Sequence, residues 1–142
     1  MPFHTVDLLK DAFSEINKSL SDSSVLILGV SYKPDVKDIQ LSPVEKIIEI
    51  IKGTGAKISI YDPYYKNSEV FGIQSSSNLI SSIEECDALI IATAHKEFHD
   101  LEASFLKSKM QTPIVIDSKC IINQFDAKKA GLIYRGIGRG KI

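Results

Sequence analysis

The chain has 142 residues, of which 44% are apolar and 25% are charged, and this length is typical of a single domain. Seventeen basic and eighteen acidic residues give a net charge of −1, which argues against a nucleic-acid or membrane-surface binder. No apolar run approaches the ~20 residues that span a bilayer, and the first ten residues lack the pattern of a secretory signal. We therefore expect a cytoplasmic protein.

The two cysteines, Cys86 and Cys120, do not form a C-x-x-C pair. This spacing excludes a zinc ribbon and a thioredoxin-like redox motif. We interpret both as buried, reduced thiols, because a cysteine that forms no disulfide behaves as a small apolar residue in protein cores. A reactive or bridging role is the alternative.

The first twenty residues predict an amphipathic helix. Pro2 suits the first turn of such a helix, and the polar run at residues 21–24 ends it. Apolar residues recur mostly at helical spacing, at Val6, Leu8, Leu9, Phe13, Ile16 and Leu20.

Short apolar runs without alternation predict strands that are buried on both faces. They lie at residues 25–30, 57–61, 88–92, 113–117 and 132–134, with a further short strand at 70–73. Helices are predicted between them, one opening at Ser42 and Pro43 and ending at Gly53 and Gly55, and others at residues 79–85, 95–109 and 123–130. This order predicts an α/β, Rossmann-like three-layer domain at residues 23–142, with a mostly parallel sheet of about five to six strands. The amphipathic helix precedes it at residues 1–22.

Ligands of open parallel sheets bind beyond the carboxyl ends of the strands. The residues that follow the predicted strands are rich in hydroxyls and amines, which favours a ligand that carries phosphate. The first of these loops contains Gly29 but no G-x-G-x-x-G motif, so we do not expect the usual mode of dinucleotide binding. Lys33 stands beside a strand end and near a helix N-terminus, and is a candidate anion-binding residue. A solvated loop lysine is the alternative.

Two other residue pairs have a chemical and a structural interpretation. His95 and His99 have the spacing of two metal ligands on one helical face, but no acidic residue completes the set convincingly, and we predict no metal site. Asp35 and Asp38 could act together as acid and base, but aspartates in loops more often cap nearby backbone amides. The chain lacks a G-x-S-x-G motif, which argues against serine hydrolase chemistry.

The end of the chain is basic. Five basic residues and no acidic residue follow Ala127: Lys128, Lys129, Arg135, Arg139 and Lys141. Glycines lie between the last three of these basic residues, so the stretch around Arg139 could fold over a phosphate. A solvated terminus is the alternative.

An ordered set of motifs resembles the C-terminal domain of the UDP-glucose/GDP-mannose dehydrogenase family. The resemblance lies at residues 29–43, 55–64, 93–98, 115–117 and 134–139, and the opening helix is similar to the end of that family's central helical region. It covers nearly the whole chain in order. The sequences at residues 31–35 and 61–64 are slightly more similar to the UDP-N-acetylmannosamine branch of the family.

The resemblance implies a function for the whole enzyme. Such enzymes oxidise the C6 hydroxyl of a nucleotide-sugar to a carboxylate with two NAD⁺, through a cysteine nucleophile. Their N-terminal domain binds NAD, and their C-terminal domain binds the nucleotide part of the UDP-sugar. Neither Cys86 nor Cys120 matches the motif of the nucleophile, and the NAD fingerprint is absent. The resemblance therefore implies a UDP-sugar-binding domain, an expressed fragment or a split or truncated gene product, with no cofactor expected in this chain alone and little or no activity by itself.

Four residues are assigned by this resemblance. Tyr32 and Lys33 match the family's aromatic–lysine pair, which contacts the nucleotide-sugar, and Lys33 would neutralise pyrophosphate charge. Lys119 stands where the family often has an arginine that holds the substrate, and Gln40 stands where it usually has an arginine that reaches the NAD pyrophosphate. Compared with arginine, Lys119 keeps the positive charge but cannot form two parallel hydrogen bonds, and Gln40 has neither the charge nor this geometry. No catalytic residue is assigned.

Two hypotheses about partners accompany this function. We expect the apolar stripe of the opening helix to be uncovered and to drive homodimer formation through Leu9, Phe13 and Ile16. A non-catalytic nucleotide-binding or protein-interaction module of Rossmann-like fold is the alternative to the dehydrogenase domain.

Overall fold

A six-stranded sheet forms the middle layer of the protein. The computed structural model describes residues 2–137 and 140–141. The strands are β1 (Ser24–Leu28), β2 (Lys57–Tyr61), β3 (Glu69–Val70), β4 (Ile73–Gln74), β5 (Ala88–Ile91), β6 (Ile114–Asp117), β7 (Ile133–Gly136) and β8 (Gly140–Lys141). The sheet order is β2-β1-β5-β6-β7-β8, parallel except for the antiparallel β8, while β3 and β4 pair separately. The predicted α/β class and mostly parallel sheet are confirmed.

Helices cover both faces of this sheet. They are α1 (Pro2–Glu15), α2 (Val44–Lys52), α3 (Leu79–Glu85), α4 (Ala103–Lys109) and α5 (Gln124–Ala130), with short 3-10 helices at Leu20–Asp22 and Lys96–Asp100. Alternate residues of β1 enter two separate cores: Val25 and Ile27 join the core under α1 and α2, and Leu26 and Leu28 join the core under α3, α4 and α5. All four are fully buried, which explains why the strand sequence does not alternate between apolar and polar residues.

The opening helix is shorter than predicted. It ends at Glu15 instead of continuing to residue 20, because Asn17 takes a left-handed conformation with φ 54°. The amide of Lys18 bonds back to the carbonyl of Phe13, which closes the end of the helix.

Three other predictions of local structure need correction. The single strand expected at residues 70–73 is the hairpin β3–β4, since Phe71 and Gly72 both have positive φ and form its two-residue turn. The helix expected at residues 95–109 is a 3-10 helix and α4, separated by extended backbone at Leu101 and Glu102. The last parallel strand runs to Gly136, two residues beyond its expected end.

The apolar side of α1 is covered by the chain itself. Leu9 and Phe13 are 0% and 2% exposed, within the core that also contains α2 and the sheet. The expectation of an uncovered stripe is therefore wrong. Sequence periodicity shows that a helix has an apolar side, but it does not show whether a distant segment covers that side.

The two cysteines differ in burial. Cys86 is 1% exposed, as predicted, and desolvation raises the pKa of its thiol to about 12. Cys120 is only half-buried, and both residues are thiols. Among the described helices, none is both long and apolar enough to cross a bilayer.

Candidate functional site

The candidate site lies where the strand order reverses. The chain adds β2 on one side of β1 and then adds β5 on the other side. Ligands of open α/β sheets bind beyond the carboxyl ends of the strands at such a switch point. The β1–α2 loop, residues 29–43, and the β5–α4 loop, residues 92–102, meet there and are hydrogen-bonded to each other. We refer to the polar sheet edge at these two loops as the crevice.

Gly29 lets these two loops cross closely. Its φ is +90°, and a Cβ atom there would stand 2.4 Å from the Cβ of Thr93. Beyond the glycine, the Thr93 hydroxyl donates a 2.7 Å hydrogen bond to the carbonyl of Ser31. The glycine is therefore required by contact within the fold.

Asp62, directly after β2, organises the floor of the crevice. Its carboxylate is fully buried and accepts hydrogen bonds from the amides of Val30 at 2.8 Å and Tyr64 at 2.9 Å. Nε2 of the buried His95 lies 2.8 Å from the same carboxylate. These donors compensate the cost of burying a carboxylate, and they join the ends of β1, β2 and β5.

His95 also contacts the β1–α2 loop through its second ring nitrogen. The backbone amide of Asp35 donates a 2.8 Å hydrogen bond to Nδ1. A nitrogen that accepts cannot carry a proton, so the imidazole is neutral and its proton is on Nε2, where it is donated to Asp62. The rings of Tyr64 and Phe98 flank the imidazole at centroid distances of 5.2 and 5.7 Å.

The backbone of the β1–α2 loop is anchored at several further points. The Asp35 carboxylate accepts from the amide of Lys96 at 2.7 Å, and the Asp38 carboxylate accepts from the amide of Gln40 at 2.9 Å. The prediction that Asp35 and Asp38 cap loop amides is thus confirmed. The Ser42 hydroxyl accepts from the amide of Val44 and donates to the carbonyl of Val30, so the predicted serine cap also ties the start of α2 to β1.

The loop after β6 forms the next wall along the same edge of the sheet. Asp117 is fully buried and accepts hydrogen bonds from the amide of Ile122 at 2.8 Å and the hydroxyl of Tyr134 at 2.7 Å. The exposed Lys119 follows it and borders a small hollow of about 20 Å³, together with Pro43 and Ile47 of the α2 start. A lysine beside a helix N-terminus creates a positive environment.

The four sequence-predicted site residues are all exposed near this edge. Tyr32, 54% exposed, and Lys33 follow β1, and Gln40 lies near the end of the same loop. Lys119 follows β6. Arg139, the fifth candidate because of its basic glycine-rich context, lies outside the described residues.

Sequence reasoning missed the structural centre of the site. It considered His95 only as a metal ligand paired with His99 and rejected that role, whereas His95 is fully buried and both its ring nitrogens are bonded. His99 is exposed on a 3-10 helix, where residues four apart do not share a face. A histidine and an aspartate that each directly follow a buried strand were the available signal.

A larger cleft of about 720 Å³ lies between α4 and α5 and begins at the end of the β5–α4 loop. It is bordered by Glu102 and Asp126 as well as by His99 and Lys129. None of its lining residues comes from the β1–α2 loop, and its charges have both signs. We therefore place the candidate site at the crevice, where the strand order and the anchored loops converge.

A parallel sheet with a polar crevice at its switch point defines an open α/β domain of the nucleotide-binding class. The model of the UDP-glucose/GDP-mannose dehydrogenase family, UDP binding domain, matches residues 26–124. The chain belongs to this family, and it corresponds to the family's C-terminal, UDP-binding domain.

Individual relatives agree with this assignment. The chain is 32% identical to a UDP-N-acetyl-D-mannosamine dehydrogenase of Pyrococcus horikoshii, covering all of this chain and 32% of that protein. It is also 32% identical to a UDP-glucose 6-dehydrogenase of Rhizobium meliloti, covering 82% of this chain and 28% of that protein. The chain thus spans about a third of the length of the curated relatives that it matches.

Solved structures show the same domain. The P. horikoshii UDP-D-ManNAc dehydrogenase superposes with a TM-score of 0.87 at 32% identity, covering 99% of this chain and 31% of that one. An NDP-N-acetyl-D-galactosaminuronic acid dehydrogenase of Methanosarcina mazei superposes with a TM-score of 0.89 at 27% identity, covering 97% and 29%. The resemblance inferred from the motifs is therefore confirmed.

Proposed function

We propose that this chain binds the nucleotide part of a UDP-sugar in the crevice between the β1–α2 and β5–α4 loops, as one domain of an NAD-dependent nucleotide-sugar 6-dehydrogenase. The observation that carries the proposal is the anchored β1–α2 loop. The backbone amide of Asp35 is held by His95 and its carboxylate by the amide of Lys96, while the side chains of Tyr32 and Lys33 remain exposed at the carboxyl edge of the sheet.

Each proposed binding residue has a role that follows from its chemistry. Lys33 and Lys119 supply two positive charges for the pyrophosphate, and the N-terminus of α2 beside Lys119 adds to them. Tyr32 offers an exposed ring to the base or the sugar. The relatives' names favour UDP over GDP and include both UDP-glucose and UDP-N-acetylmannosamine.

The residues of this chain do not fit NAD. In the usual dinucleotide site, glycines after the first strand leave room for the pyrophosphate. Here Gly29 leaves room for Thr93, and Val30 and Ser31 follow it within the hydrogen-bonded network. We therefore assign NAD binding and the nucleophilic cysteine to other domains of the enzyme. For Gln40 we propose no role beyond a position at the edge of the bound cofactor. We assign no chemical step to this chain.

The remaining domains are the proposed partners, together with a second copy of the enzyme. Several large apolar side chains are exposed at or near the crevice edge, at Phe3, Tyr32, Val36 and Leu41, and they favour a docking surface there. We propose that residues 1–22, which include α1, are the end of the central helical region. A homodimer through α1 would use its outward side, because Leu9 and Phe13 are buried. The cytoplasmic location stays a prediction of the sequence.

Calorimetric titration with UDP at low salt tests the function, with GDP and NAD⁺ as comparison ligands. We expect UDP to bind and NAD⁺ to give no heat. Lys33→Ala should weaken UDP binding about tenfold or more, because it removes a charge-assisted contact. Lys52→Ala, which removes an exposed lysine at the opposite end of α2, is the matched control and should bind as the wild type does. Absence of UDP binding in the wild type, or equal affinity in both variants, would contradict the proposal.

A further inference from the structure

Three loops converge on the ring of His95, which has no exposed surface. Asp62 comes from the end of β2, His95 from the end of β5 and Asp35 from the β1–α2 loop. Both ring nitrogens are bonded, Nε2 to the carboxylate of Asp62 and Nδ1 to the amide of Asp35. The imidazole is therefore enclosed, and its influence on a ligand has to pass through the loop.

The direction of these hydrogen bonds is set by Asp62. A carboxylate only accepts, and this one already accepts from the backbone amides of Val30 and Tyr64. Nε2 of His95 must then be the donor, which leaves the lone pair of Nδ1 available as an acceptor. Asp62 thereby selects the tautomer that can hold the amide of Asp35.

Asp35 is held to the β5–α4 loop twice. Its amide donates to His95 Nδ1, and its carboxylate accepts from the amide of Lys96 at 2.7 Å. Its φ of 60° is a left-handed conformation that aspartate adopts more readily than most residues do. Asp35 is two residues from Lys33, so its anchorage sets the path of the backbone from which Lys33 and Tyr32 project.

We propose that His95 is a positioning residue for nucleotide binding: it holds the β1–α2 loop through its Nδ1 atom, in the tautomer that Asp62 selects. The inference rests on the proposed function for its ligand. It adds that the affinity for UDP depends on a hydrogen-bond acceptor at the position of Nδ1. Filling the space of the imidazole, or keeping the bond to Asp62, is not sufficient. His95 acts through the loop and is not a catalytic residue.

Two substitutions separate these roles. In His95→Asn the side-chain oxygen takes the place of Nδ1, which keeps the acceptor for Asp35 and loses the donor to Asp62. In His95→Gln the terminal amide nitrogen takes the place of Nε2, which keeps the donor and loses the acceptor. We expect His95→Asn to retain UDP affinity within about threefold of the wild type, and His95→Gln to lose about tenfold or more. Equal losses in the two variants, or a greater loss in His95→Asn, would overturn the proposal.

Measurements on the unmodified chain do not depend on how well either variant folds. Nitrogen-15 NMR of the imidazole should show a protonated Nε2 and an unprotonated Nδ1. Hydrogen exchange should show protection of the Asp35 amide although its residue is exposed. The opposite tautomer, or rapid exchange of this amide, would refute the hold of His95 on the β1–α2 loop even if UDP binds. Conversely, a protected amide in a chain that does not bind UDP would contradict the proposed function, while the hold of His95 on the loop would remain.

Discussion

The guanidinium of Arg135 donates from Nη2 to Oε1 of Glu15 at 2.9 Å, across 120 residues of sequence. Its Nε atom donates to Oδ2 of Asp11 at 3.3 Å, and the arginine side chain is only 4% exposed. Because Arg135 belongs to β7 and both carboxylates belong to α1, these contacts fix the opening helix on the sheet. Arg135, which the sequence places in the basic end of the chain, is therefore an internal anchor.

Replacement of this anchor should destabilise the protein. We expect Arg135→Gln to lower the free energy of unfolding by about 1–3 kcal/mol, since it removes charge-assisted hydrogen bonds of a buried group. Lys46→Gln is the control, because Lys46 and its partner Glu49 are both well exposed and such pairs contribute less than about 1 kcal/mol. Urea denaturation followed by circular dichroism measures both. Similar losses in the two variants would show that the contacts of Arg135 with Asp11 and Glu15 do not hold α1.

Gly29 should tolerate no side chain. We expect Gly29→Ala to cost about 3 kcal/mol or more, because a methyl group would collide with Thr93 as well as strain a positive φ. Gly55→Ala separates the two effects, since Gly55 has φ +89° but its nearest contact would be an ordinary 3.6 Å from Ser21. We expect it to cost only about 1 kcal/mol. Thermal unfolding compares the two, and equal losses would exclude the close crossing at Thr93.

Cys86 should make stability fall in mildly alkaline solution. Burial raises the pKa of its thiol from 9.0 to about 12, so the folded chain keeps a proton that the unfolded chain releases. The free energy of unfolding should therefore fall by about 0.8 kcal/mol between pH 8 and pH 9.5 from this group. The raised pKa values of Tyr61 and Tyr65 act mainly above that window, since their ordinary value is 10.0. Urea titrations at the two pH values should show this slope in the wild type and its loss in Cys86→Ala.

Leu41 should be a site where substitution stabilises the isolated chain. It is 89% exposed and has φ 58°, a left-handed conformation that is unfavourable for leucine and tolerated by asparagine. We expect Leu41→Asn to raise the free energy of unfolding by about 0.5–1 kcal/mol. Val36→Asn, in the same loop and 41% exposed but without a positive φ, is the control and should give no gain. An equal gain in both would assign the effect to lost surface hydrophobicity.

Local features of the fold were predictable because they depend on neighbouring residues. The helix at Leu79–Glu85 and the strand at Lys57–Tyr61 occur with the predicted bounds. The hydrogen bond of the Ser42 hydroxyl at the start of α2 also follows from short-range interactions. Predictions failed where a single residue with positive φ, such as Asn17 or Phe71, ends an element within an otherwise continuous pattern.

The class of the fold and the family were predictable from the sequence, because the apolar runs, their spacing and the ordered motifs are all local in the chain. The roles of His95 and Arg135 depend on tertiary contacts. Asp62, 33 residues from His95, selects its tautomer, and α1 encloses Arg135 from the other end of the chain. Burial and hydrogen-bond partners are properties of contacts between distant segments, and the same histidine or arginine is a surface group or an anchor according to which segments meet around it.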